Sequence, residues 1–135
     1  METIKITSKE YITEGGCNAC GPINYKNYVL HFEDGKSMTA EGLEVAALVM
    51  TLAQKKGWRT ELNFDSEEDV ILFTKDARQV ALNEGYNQIM LTYQANGQTI
   101  KTKNSLAEAE VLAKTQQIFQ ELFQEAPVTF ELSEA

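Results

Sequence analysis

The sequence is poor in the side chains that most catalytic chemistry needs. It has one histidine (His31), two cysteines (Cys17 and Cys20), one tryptophan (Trp58) and two arginines (Arg59 and Arg78). A serine- or cysteine-based triad would have to be built around that single imidazole, and no G-x-S-x-G elbow supplies a nucleophile. His31 itself falls in a strand-like stretch, where a lone imidazole is ordinarily a satisfied sheet residue. Two prolines and eight glycines exclude a collagen-like or Pro/Gly-rich low-complexity chain. No apolar run approaches the roughly 18 residues of a membrane helix, and the opening METIKITSKE lacks the apolar centre of a secretion signal. These shortages predict a soluble cytoplasmic protein with no membrane partner that acts without catalysis.

What is present is enough for one domain with a core: 135 residues, of which 43% are apolar. The formal charge is -8, and it is unevenly spread. Residues 1–60 carry seven acids and seven bases, whereas residues 61–135 carry thirteen acids and five bases. Phosphate binding depends on Lys and Arg displacing condensed counterions, so direct nucleic-acid binding is not expected. An acidic half suits either plain solubility or docking on a basic partner surface. In the second case the densest run, Asp65, Glu67, Glu68 and Asp69, is the candidate partner-binding segment.

Along the chain, Ile4 and Ile6 alternate with polar residues as in a strand, and Gly15 to Pro22 (GGCNACGP) reads as a tight loop. Residues 27–33 alternate again, Asp34-Gly35 supplies a two-residue hairpin turn, and residues 36–39 return. A helix is expected from a Thr39 cap to Lys55 and Lys56, stopped by Gly57 and too apolar to be a surface helix. Residues 58–64 and 70–73 read as neighbouring strands, and residues 77–84 as a short helix capped by Asp76. Residues 86–94 and 98–103 form a second hairpin around Asn96-Gly97. Ser105 and Glu108 then make a capping box for a helix reaching Glu125, and residues 128–132 end the chain as a strand.

Residues 27–64 and 88–132 thus share the order hairpin, helix, strand. One reading is a duplicated ββαβ module, divided into residues 27–75 and 76–135 after an N-terminal strand and loop at 1–26; the other is a common arrangement without duplication. Either way the expected fold class is α+β, a mainly antiparallel sheet of about six to eight short strands with two long helices.

Cys17 and Cys20 form a CxxC pair, the spacing of a redox dithiol or of half a zinc site. The redox use requires a helix after the motif, but strand-like INYKNYV follows; the zinc use requires two more ligands, and only His31 remains. The pair is therefore expected to be structural and no cofactor is expected; zinc on Cys17 and Cys20, or redox sensing by the pair, is the alternative. A small anionic, nucleotide-like ligand is the alternative to the basic partner. Its site would draw on backbone amides of Gly15, Gly16, Asn18 and Gly21, with Arg59 and Arg78 as bidentate donors and Trp58, Tyr25 or Tyr86 for stacking. Because short hairpin strands expose edges, at residues 36–39 and 98–103 in particular, a homodimer is expected.

Overall fold

The computed structural model describes residues 1–14, 22–64, 69–84 and 90–133. Its first sheet joins β1 (Glu2–Glu14), β2 (Pro22–His31), β3 (Ser37–Ala40) and β9 (Val128–Ser133) in the order β3-β2-β1-β9. Alternation decides which face is inward: Ile4, Ile6 and Leu30 are fully buried, while the intervening Lys5 and His31 face water. β1 and β2 are antiparallel, with Ile6 opposite Leu30, and β9 runs parallel to β1 with Phe130 opposite Ile4. A turn forms at Asp34-Gly35, but as a three-residue loop and not the two-residue turn expected: Phe32 N–H donates to Lys36 O at 2.9 Å and Gly35 N–H to Phe32 O at 3.1 Å. Gly35 takes a φ of 86°, which few residues but glycine adopt at low cost, and Lys36 N–H donates to Asp34 Oδ1 at 2.9 Å.

The second sheet is an antiparallel meander of β4 (Arg59–Phe64), β5 (Asp69–Lys75), β6 (Arg78–Glu84), β7 (Met90–Ala95) and β8 (Gln98–Lys103). One face carries Phe73, Val80, Leu82 and Tyr93, all fully buried. The other face, with Gln79, Ala81, Gln94 and Thr99, forms a shallow depression. Two helices, α1 (Val45–Lys55) and α2 (Glu108–Glu121), complete one hydrophobic core that draws on both sheets and both helices. No residue of α1 from Val45 to Ala53 is exposed, as its apolar sequence requires. The buried hydroxyls of Thr51 and Thr115 are satisfied within the helices, donating to Ala47 O and Val111 O at 2.8 Å each.

The α+β expectation is overturned. The chain is mostly β: nine strands among the described residues, in sheets of four and five, against two helices of only 11 and 14 residues. Three local readings account for the difference. Residues 78–84 form β6, not a helix, because Val80 and Leu82 are buried at a spacing of two between β5 and β7, and this pairing overrides the modest helical preference of Gln, Ala and Leu. Asp76, with φ 53°, turns the β5–β6 hairpin in place of capping a helix. The helices also begin late. Thr39 and Ala40 are consumed in pairing β3 to Val29 and Tyr28, so α1 starts after Glu44. Likewise α2 starts after Ala107, and no Ser105–Glu108 capping box forms.

Nor do the two ββαβ segments close on themselves. The β2–β3 hairpin lies in the four-stranded sheet, but the strand after its helix, β4, joins the five-stranded one; β7–β8 lies in the five-stranded sheet and β9 crosses to the other. The division expected at residues 75 and 76 falls inside a hairpin in which Lys75 pairs with Arg78.

Candidate functional site

The polar groups of the described residues converge most densely where the end of α2 meets the five-stranded sheet. Gly57, with φ 86°, ends α1 and turns the chain so that Trp58 N–H donates to Ala53 O at 2.9 Å. Trp58 is thereby pressed into the core, 4% exposed. It meets the ring of Phe123 edge-on at 4.8 Å between centroids, and Phe73 meets the same ring at 5.2 Å. The β5–β6 hairpin brings Lys75 and Arg78 to this place from the five-stranded sheet. Past the end of α2, Gln124 adopts a φ of 56° and presents Glu125 to them.

Glu125 is the hub. Its Oε1 accepts from Trp58 Nε1 at 2.9 Å and from Lys75 Nζ at 3.1 Å, and lies 3.4 Å from Arg78 Nη2. The same guanidinium donates through Nη1 to Phe123 O at 3.0 Å and Gln124 O at 3.2 Å, and stacks over the Trp58 ring at 5.0 Å. Arg78 therefore satisfies carbonyls just beyond the C-terminus of α2, where a cation also complements the helix dipole. With its side chain 12% exposed, Glu125 is pushed up by burial, but the Trp58 and Lys75 hydrogen bonds, with the charges of Lys75 and Arg78, outweigh this and hold the carboxyl below the usual glutamate range.

Of the ligand residues expected from the sequence, Trp58 and Arg78 come together and Arg59 does not join them. The anion they meet is the protein's own Glu125. Arg59 is exposed at the start of β4, opposite Thr74, beside a depression lined by Gly57, Thr74, Lys75 and Asp76. Gly15, Gly16, Cys17, Asn18, Cys20, Gly21 and Tyr86 lie outside the described residues, as do Asp65, Glu67, Glu68 and the side chain of Tyr25. Among the described residues no group of three or more His, Cys, Asp and Glu is arranged to hold a metal. His31 is exposed and its Nε2 lies 2.9 Å from Thr7 Oγ1 across β1 and β2. Asp69 opens β5, opposite Phe64 on one side and Glu84 on the other.

Glu125 was the residue that sequence reasoning missed. A signal existed, since an acid just past the C-terminal end of a helix opposes the dipole and needs a partner elsewhere.

The family described as "Domain of unknown function (DUF4809)" matches residues 1–132. The chain belongs to that family. No curated protein and no solved structure matches it. The matched span runs from β1 to within β9, so it takes in the Glu125 cluster and both sheets. No helix among the described residues is long and apolar enough to cross a membrane.

Proposed function

We propose that this member of the family works stoichiometrically, as an interaction or inhibitor module whose acidic second half docks on a basic partner surface. The observation that carries the reading is the register of β5. The ladder sets Asp69 directly opposite Glu84, which brings two acidic positions to one end of the five-stranded sheet. By sequence, Asp69 directly follows Asp65, Glu67 and Glu68. A further support is the fate of the cations. Of the five bases in residues 61–135, Lys75 and Arg78 are both engaged by Glu125, which leaves Lys101, Lys103 and Lys114 against twelve other acids. The small-ligand reading is the weaker one, because Trp58 and Arg78 are committed to an internal carboxylate.

A cationic probe tests the proposal. The protein should bind an immobilised lysine-rich peptide at low salt, with affinity falling steeply as salt rises. Changing Asp65, Glu67, Glu68 and Asp69 together to Lys should lower the association rate by about tenfold or more. Changing the exposed acids of α2, Glu108, Glu110 and Glu121, to Lys should matter less. Equal losses from both sets would reduce the attraction to bulk charge and sink the assignment of the docking surface to the β4–β5 end.

A further inference from the structure

β4 is one edge of the five-stranded sheet. It pairs with β5 on one side and has no strand neighbour on the other among the described residues. Leu62 belongs to a row that crosses the sheet through Ile71, Leu82, Tyr93 and Ile100. Leu82 and Tyr93 are fully buried and Ile100 is 9% exposed at the far edge, yet Leu62 is 55% exposed. The apolar face therefore runs to the very margin of the sheet at β4 and stops in water. Thr60, next on the same face, has a buried hydroxyl with no hydrogen-bond partner among the described residues. Strand edges of this kind are ordinarily blunted by proline, a bulge or an inward charge, and β4, with the sequence RTELNF, has neither proline nor an inward charge at Thr60 or Leu62.

We infer that a second copy of the chain covers this edge, β4 against β4, antiparallel about a twofold axis at Thr60. Charge selects the register. Antiparallel neighbours share a face, so within β4 the outer-face residues Arg59, Glu61 and Asn63 pair with one another. An axis at Glu61 would set that carboxylate against its own copy. An axis at Leu62 would set Glu61 against Asn63 and give Arg59 no partner within β4. An axis at Thr60 sets Arg59 opposite the second copy's Glu61 and, by symmetry, Glu61 opposite the second copy's Arg59. Neither side chain has an ion-pair partner within the chain among the described residues. On the inner face the same register brings the two Thr60 positions together and moves Leu62 out of water, opposite the second copy's Trp58 just before its strand. Two five-stranded sheets thereby become one of ten strands, and the twofold closes the assembly at two copies. The overlap is short, so the dimer is a weak one. The inference is independent of the basic-partner proposal, whose residues lie beyond the paired segment.

Sedimentation equilibrium of the full chain tests it. The apparent mass should rise from 15.1 kDa toward twice that value across the micromolar range. Arg59→Glu should weaken the dimer by about tenfold or more, since it replaces two attractive cross-strand pairs by two repulsive ones. Glu61→Arg should do the same, and the double exchange Arg59→Glu with Glu61→Arg should restore association to within about threefold of the parent. Leu62→Asp should also weaken it. All of these positions are exposed, and an unchanged thermal midpoint at low concentration would confirm that each variant folds. A mass that stays at 15.1 kDa throughout, a dimer indifferent to Arg59→Glu, or a charge exchange that fails to rescue would each overturn the inference.

Discussion

A single carboxylate, Glu125, joins parts of the chain that lie far apart in sequence: the start of β4, the β5–β6 hairpin and the end of α2. Its folded form titrates below the 4.5 of an unperturbed glutamate. A depressed carboxyl contributes stability that is present above the unfolded value and is lost as pH falls through the folded one. Unfolding free energy should therefore be level near neutrality and decline once pH drops below 4.5, with Trp58 fluorescence as the reporter. Asp34, exposed and held down first by the Lys55 hydrogen bond, acts in the same direction. Glu125→Gln should cost about 1 to 3 kcal/mol at pH 7, because it leaves two partly buried cations without a counter-charge. The same substitution should flatten the acid limb measured by urea titration at several pH values, and an acid limb identical to the parent's would assign the decline to other groups.

At the scale of elements, residues 78–84 decide the fold class, and one substitution reports their conformation. Ala81 sits on the outer face of β6, between Leu72 and Gln94 in the neighbouring strands, and lines the shallow depression there. In a central strand with room above it, Ala81→Thr should be neutral or stabilising by up to about 1 kcal/mol. In a helix the same change would cost roughly 0.5 kcal/mol. The midpoint of urea unfolding therefore gives the answer by its direction.

For the whole molecule, each helix leads from one sheet to the other, and the two sheets share one core. Loss of either sheet would strip that shared core from the other. The protein should unfold in one step, with far-ultraviolet circular dichroism and Trp58 fluorescence giving superimposable curves and equal midpoints. Separate midpoints would mean that one sheet survives without the core it shares with the other.

Much of this was legible in the sequence wherever the controlling interaction is local. Asp34-Gly35 and Asn96-Gly97 place turns through backbone conformation, with φ of 86° and 78° at the two glycines, and the apolar run of Val45 to Ala53, broken only by Thr51, already marks a buried helix. Other assignments depended on partners distant in sequence. Residues 78–84 favour a helix only until β5 and β7 pair with them on both sides, and Thr39 resembles a cap until Val29 claims it. The pairing of Trp58 with Arg78 could be suspected from residue type, since each is suited to an anion. That the anion is Glu125, 47 residues beyond Arg78, was settled only when α2 ended against the five-stranded sheet, because the energy of a buried charge depends on what the fold brings to it.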